Sequence, residues 1–279
     1  MTVPKVSLIR QAFAEGLVST PGGFRRKSFV HLVRPGQSII KRAGISHVMD
    51  MTSMRLVVGP ADTVRETSPA DDAGGWVTWA TWNNQSQDSI SLFSTKWTVP
   101  SPPSAQSGQL IYLFNGLQDV AGREILQPVL QWGLSGAGGG NFWSIASWHV
   151  DSSGHAFCTP AVQVNVGDLL TGSIIMLGVF ADGTRNYSCE FVGVAQTKLM
   201  ALGLTDLVSA EETLEAYGIT GKPDYPAVDE TKMTGINLQV LGNPAPLAWQ
   251  SNVMPNPAYG EHTLVVDNSA TNGEVDLFY

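Results

Sequence analysis

From Trp76 onward the chain is a series of short runs in which alternate residues are apolar, and nearly every run ends in turn-forming residues. The runs are WVTWATW, SISLFSTKWTV, QLIYLFNGL, EILQPVLQWG, NFWSIASWHV, FCTPAVQV, LLTGSIIMLGVF, YSCEFVGV, TLEAYGIT, KMTGINLQVL, HTLVVDN and EVDLFY. Segments such as PSPPSAQSG, LSGAGGGN, DSSGH, NVGD and ADGT separate them. A period of two puts one face of each run on a core and the other toward its surroundings, which a helix of 3.6 residues per turn cannot do. Roughly twelve strands at this spacing specify an all-β fold, a two-sheet antiparallel β-sandwich of the jelly-roll or concanavalin-like type, and argue against βαβ units. One interval, residues 198–212, reads as helical. No self-similarity at 20 to 50 residues points to a propeller or solenoid.

Charge divides the chain near residue 75. Residues 1–75 carry a net +4 and no tryptophan, whereas residues 76–279 carry −12 and all eight tryptophans. We read 1–75 as a basic N-terminal extension resembling a pro-segment and 76–279 as the sandwich domain, joined through the linker-like DDAGG. Within the extension, VSLIRQAFAEGLV has the spacing of a short amphipathic helix. FVHLVRPGQSIIKRAGISHVMDM and MRLVVG read as hairpin strands with turns at Pro35-Gly36 and Ala43-Gly44. Such a segment either packs its strands on the main domain or regulates it; a basic cover on an acidic cleft would leave as the carboxylates protonate.

Charged residues are only 14% of the chain, the balance is acidic, and no apolar run approaches the roughly 20 residues that span a bilayer. Neither nucleic acid nor membrane is an expected partner. The first twenty residues carry Lys5, Arg10 and Glu15 where a secretory signal needs an apolar stretch. The compartment stays open, secreted if a signal was removed and otherwise cytoplasmic or exported by another route. Cys158 and Cys189, both in apolar strand-like surroundings, form one disulfide or remain two buried thiols.

Several motifs fail on inspection. GLSGAGGG at residues 133–140 lacks the glycine that a nucleophile elbow needs two residues after Ser135, and no helix follows it as a dinucleotide loop requires. It reads as a hairpin loop. His149, Asp151 and His155 straddle the turn DSSG without a clear fourth ligand, so no metal or other cofactor is expected. More informative are polar residues on apolar strands. Gln127, Val129 and Gln131 share one strand face, and Glu215, Tyr217 and Ile219 share another.

The order of the segments over residues 82–240 resembles the eqolisin family of glutamic peptidases, and each motif carries a residue with it. TWNNQ resembles the family's Asn-Trp-Gly-Gly and places Trp82 at the substrate. FNGLQD is similar to its Trp-Val-Gly-Ile-Asp strand, with Phe114 where the family has tryptophan and Asp119 following. ILQ of ILQPVLQWG matches Ile-Leu-Gln-Thr-Gly and carries the catalytic glutamine onto Gln127. FWSIASWHV resembles its aromatic strand, and NVGD the turn after it. LEAYGI followed by DYPAV is similar to Asn-Ala-Glu-(Trp/Phe)-Ile followed by Val-Pro-Phe-Ala. That register implies Glu215 as the catalytic glutamate, with Thr213-Leu214 replacing Asn-Ala and Glu211 and Glu212 competing nearby. A basic extension on an acidic body also resembles an eqolisin precursor.

The resemblance implies an acid-acting endopeptidase on polypeptide substrates. Glu215 would take a proton from water and Gln127 would donate to the oxyanion. Trp82, Phe114, Asp119, Gln131, Trp143 and Trp148 would line the substrate groove, and the N-terminal extension would cover it. The competing expectation is a carbohydrate-binding, lectin-like sandwich, in which the tryptophans stack on a glycan and the amides bond its hydroxyls without chemistry. A third is a catalytically silent descendant with a structural role.

Overall fold

The computed structural model describes residues 5–58 and 74–279, and in them two large sheets pack face to face. The front sheet runs, from edge to edge, through Gln250–Val253, Gly74–Asn83, Leu207–Tyr217, Leu110–Asp119, Ile125–Ser135, Gly138–Val150, Ala156–Cys158 and Val30–Leu32. The back sheet runs through His262–Asp267, Gly273–Phe278, Glu230–Val240, Ile90–Thr98, Leu169–Val179, Arg185–Phe191, Leu199–Leu204, Gln37–Arg42, Ile45–Asp50 and Arg55–Val58. Alternate residues of both sheets, among them Leu113, Leu126, Leu130 and Leu214 in front and Phe93, Trp97, Ile174 and Leu238 behind, fill the space between them. The sandwich read from the sequence is present, and its strands are antiparallel except at two joins.

Both parallel joins are made by the N-terminal extension. Val30–Leu32 lies beside Ala156–Cys158 at the end of the front sheet, and Gln37–Arg42 lies beside Leu199–Leu204 in the back sheet. Pro35-Gly36 therefore carries the chain from one sheet to the other and closes no hairpin. The Ala43-Gly44 turn does close one, with φ values of 50° and 79° that suit a tight two-residue connection. Val33, Ile39 and Val48 are buried in the inter-sheet core, so this part of the extension completes the sandwich. Polar contacts reinforce the seam: Lys41 Nζ meets Glu124 Oε2 at 2.6 Å, and His31 Nε2 meets His155 Nδ1 at 2.9 Å.

The remainder of the extension lies on the outer face of the front sheet. Helix Lys5–Ala14 forms where the sequence placed it, followed by the hairpin Leu17–Thr20 and Gly23–Arg26. Ile9, Ala12 and Phe24 pack on Leu110, Tyr112 and Tyr217 there, in a second apolar cluster separate from the inter-sheet core. Asp71 to Ala73 of the expected linker fall outside the described residues, and Gly74 already begins a strand.

The expected helix at residues 198–212 is absent; the segment forms parts of two strands, Leu199–Leu204 and Leu207–Tyr217. Its Ala, Leu and Glu content favours helix, but the strand Leu207–Tyr217 is buried along its whole length between two neighbours and two apolar layers. Tertiary burial outweighs local propensity here. Cys158 faces the outer cluster and Cys189 the inter-sheet core, so both stay as buried free thiols.

If residues 30–50 are part of the sandwich, Ile39→Ala removes a buried side chain from the common core. Its urea unfolding should remain one transition with about 2–5 kcal/mol lost. A loss confined to a separate early transition would show an independent module.

Candidate functional site

The strand registers decide which polar residues stand together. Leu126 is opposite Leu117 and Val129 is opposite Phe114, which sets Gln127 level with Gly116; Gly116 is in turn opposite Glu211 on the next strand. Gln127, Gly116 and Glu211 thus form one row across three strands. Four residues further along, Gln131, Tyr112 and Glu215 form a second row on the same face. The two carboxylates lie about 13 Å apart along their strand.

The registers set Gln127 in the row of Glu211, and Glu215 in the other row. A phenol ring stands between the two outer members of the second row, whereas the first row has a glycine at its centre. Two inter-strand spacings put the Gln127 and Glu211 α-carbons about 10 Å apart, with Gly116 between them. Gly116 is tightly set: a β-carbon there would meet Ile125 Cδ1 at 3.2 Å. The signal for Glu211 was in the sequence, because Ala210-Glu211 keeps the Ala-Glu of the motif that had been aligned four residues later.

Both glutamates are buried, and each is held by hydroxyls. Glu211 accepts from the Thr81 hydroxyl at 2.6 Å and the Ser209 hydroxyl at 2.7 Å. Glu215 accepts from the Tyr217 hydroxyl and from the Gly22 main-chain N–H at 2.7 Å. Burial pushes each carboxyl up to about 7, against the opposing pull of these donors. Gln127 Oε1 is buried without a hydrogen-bond partner. Gln131, by contrast, is committed to the following hairpin, donating to the Gly138 carbonyl at 2.9 Å and accepting from Ser135 at 3.0 Å.

The aromatic residues divide between faces. Trp148 is directly opposite Gln127, and Phe114 lies between the two rows; both are fully buried on the candidate face. Trp82 and Trp143 do not line it. Their registers turn them into the inter-sheet core, where Trp143 packs edge-on to Trp132 at 5.5 Å. Trp76 and Trp79, unforeseen from the sequence, sit opposite Glu215 and Thr213. Strict alternation separates these two tryptophans, but an irregularity at Leu214/Glu215 brings both to one face. Asp119 lies at the strand end and accepts main-chain N–H bonds from Arg123 and Glu124, fixing a turn. Glu212 points the other way, into the core, where it accepts from the Thr95 hydroxyl and burial raises its carboxyl well above the ordinary range.

Among the described residues no group of three or more His, Cys, Asp or Glu is placed to hold a metal. His149 faces Glu124 at 3.3 Å, Asp151 accepts from Ser153 and from the His155 main chain, and His155 pairs with His31.

The chain is similar to scytalido-glutamic peptidase, solved with a peptide-based transition-state analogue. The two share 15% identity with a TM-score of 0.44, over 71% of this chain and 97% of that one. It is also similar to SCP-B, a member of the eqolisin family of peptidases, solved with the tripeptide Ala-Ile-His. Identity there is 14% and the TM-score 0.44, over 73% of this chain and 98% of the other. No protein-family model and no curated protein matches the sequence. Likenesses this distant say nothing of activity, which has to be argued from the residues of the site.

The buried Glu215 has a measurable signature. Its carboxyl is raised in the folded chain to about 7 from an ordinary 4.5. The folded state therefore holds the extra proton between those pH values, and stability falls as pH rises through that window. Relative to Glu215→Gln, wild type should lose on the order of 3 kcal/mol between pH 4.5 and pH 7.5. Urea midpoints of the two proteins across this range test it, and parallel profiles would show the carboxylate to be solvated.

Proposed function

We propose that this protein is a glutamic endopeptidase whose working pair is Gln127 and Glu211, acting on extended polypeptide substrates. The row Gln127, Gly116, Glu211 carries the reading: an amide and a carboxylate stand on the two strands flanking a residue with no side chain, on one buried face. Peptide hydrolysis needs a base for the attacking water and a donor for the oxyanion. Glu211 takes the water proton and returns it to the leaving amine. The Gln127 amide, its oxygen unclaimed, turns its NH₂ toward the carbonyl oxygen as negative charge develops.

The aromatic neighbours support a peptide more than a glycan. A stacking platform for sugars relied on Trp82 and Trp143, which lie in the inter-sheet core. The outer face instead carries Phe114 and Trp148 beside the pair and Trp76 in the row of Glu215, a set suited to apolar side chains. The helix and hairpin of residues 5–26 occupy part of this face, so we read them as a cover that substrate must displace.

Glu211 sets the pH dependence. A carboxyl held at about 7 is ionised only in small part in acid, and the ionised fraction grows about tenfold per unit up to that value. The ascending limb of kcat/KM is expected near 7, which displaces the acid optimum that an ordinary glutamate would give.

Hydrolysis of a denatured protein by the full chain and its variants tests the assignment. Glu211→Gln and Gln127→Ala should each lower kcat about 10²–10³-fold, with Glu215→Gln within a few-fold of wild type. Loss of activity in Glu215→Gln alone would return the base to Glu215. Inactivity of the wild-type chain at every pH, with residues 5–26 displaced, would remove the peptidase reading.

A further inference from the structure

The hairpin on the outer face makes the contacts of a bound peptide. The Gly22 main-chain N–H donates to Glu215 Oε1 at 2.7 Å, and the Gly136 main-chain N–H donates to the Ser19 carbonyl at 2.8 Å. The Ser19 and Tyr112 hydroxyls are hydrogen-bonded, and the Phe24 ring stands edge-on to Tyr217 with centroids 5.5 Å apart. Every receptor group here belongs to the body of the sandwich, and every ligand group belongs to the extension. Apart from the Phe24 ring, the contacts come from main chain and from small residues in the Ser-Thr-Pro-Gly-Gly run of residues 19–23.

Glu215 is otherwise hard to account for. The proposed chemistry does not use it, and a buried carboxylate is costly unless donors satisfy it. Of its donors, Tyr217 and Trp76 belong to the body of the sandwich, and Gly22 comes from the hairpin. Glu215 lies four residues from Glu211 on the same strand, about the length of four extended substrate residues. Arg25, three residues after Gly22, brings a positive charge close enough to act on Glu215, Tyr112 and Tyr217 together.

We propose that Glu215, Tyr112, Tyr217 and the Gly136 N–H form a peptide-anchoring subsite beside the Gln127 and Glu211 row, and that residues 19–22 hold it as an intramolecular stand-in for substrate. The occupant it selects is a polypeptide segment that offers the main-chain N–H of a small residue to Glu215 and a basic side chain three residues later. Its use by substrate rests on the peptidase reading; its capacity to bind peptide does not.

The test uses the full chain with Phe24→Asp, which loosens the hairpin from Tyr217 and leaves the subsite intact. A fluorescent peptide of residues 17–27, LVSTPGGFRRK, is titrated and followed by anisotropy. Saturable binding is expected. Wild type should bind at least about tenfold more weakly, because its tethered segment competes at high effective concentration. Adding Glu215→Leu should weaken binding about tenfold or more, Glu215→Gln should restore part of it through its remaining carbonyl acceptor, and Glu211→Gln should leave it within about twofold. Binding indifferent to Glu215→Leu, or abolished equally by Glu211→Gln, overturns the proposal. If Phe24→Asp does not fold, exchange of the Gly22 amide reads the same contact. Glu215→Leu should accelerate it about tenfold or more while amides of the inter-sheet core are unchanged, and equal protection in both proteins overturns the proposal. Peptide bound as expected by a chain that hydrolyses nothing would sink the peptidase reading and sustain the subsite.

Discussion

The outer face of the front sheet has to be covered. Leu110, Tyr112, Phe114, Val129, Trp148 and Tyr217 make it as apolar as the interior of the sandwich, so the sheet is buried on both sides, and one of its covers is the N-terminal segment. Most features of the site follow from that. The strand Leu207–Tyr217 shows no solvent-facing side, and its three glutamates are all buried. Carboxylates in such surroundings are raised unless satisfied, which is why Thr81, Ser209, Tyr217 and Gly22 are found with their donors turned on Glu211 and Glu215.

Three glutamates within five residues are given different surroundings by the pleat and the register alone. Glu212 faces the back sheet and pairs with Thr95, away from any route to substrate. Glu211 and Glu215 share the outer face, but Gly116 is the neighbour of one and Tyr112 the neighbour of the other. Over Gly116 the Ile125 side chain and the edge of Phe114 close in, so the first row is roofed by apolar atoms. Tyr112 fills the centre of the second row itself, and its hydroxyl meets that of Ser19. The same strand thereby holds two carboxylates on one face, four residues apart, in different surroundings.

Much of this was legible before the structure. Alternation gave the sandwich because period two is a direct consequence of strand geometry, and Gln127 stands out because its ILQ context is local. What escaped needed information between strands. Trp82 and Trp143 face the core, and a count along one strand cannot say which of its two faces meets the partner sheet. Trp76 and Trp79 come to one face only through an irregularity that the sequence does not announce. Glu215 was preferred to Glu211 on a four-residue offset, and only the pairing through Gly116 separates them. Residues 198–212 have a helical composition, and burial on both faces overrides it.

The protons at the two ends of the extension bear on how the cover is lifted. A basic segment on an acidic body suggested release in acid, and two buried groups are involved. Burial raises Glu215 to about 7, while the hairpin's own contacts with it, the Gly22 N–H and the Arg25 charge, pull the other way and favour the carboxylate. At the seam, His31 is lowered to about 4, mainly by burial and then by His155, with Asp151 opposing. A detached segment would take up that proton between about 6.5 and 4, so acid weakens the seam. The hairpin contacts are thus made to an ionised Glu215 and the seam to a neutral His31, and neither contact survives protonation unchanged. Apart from protons, displacement of the hairpin is open to a competing peptide or to cutting of the chain near the exposed Arg26 and Lys27.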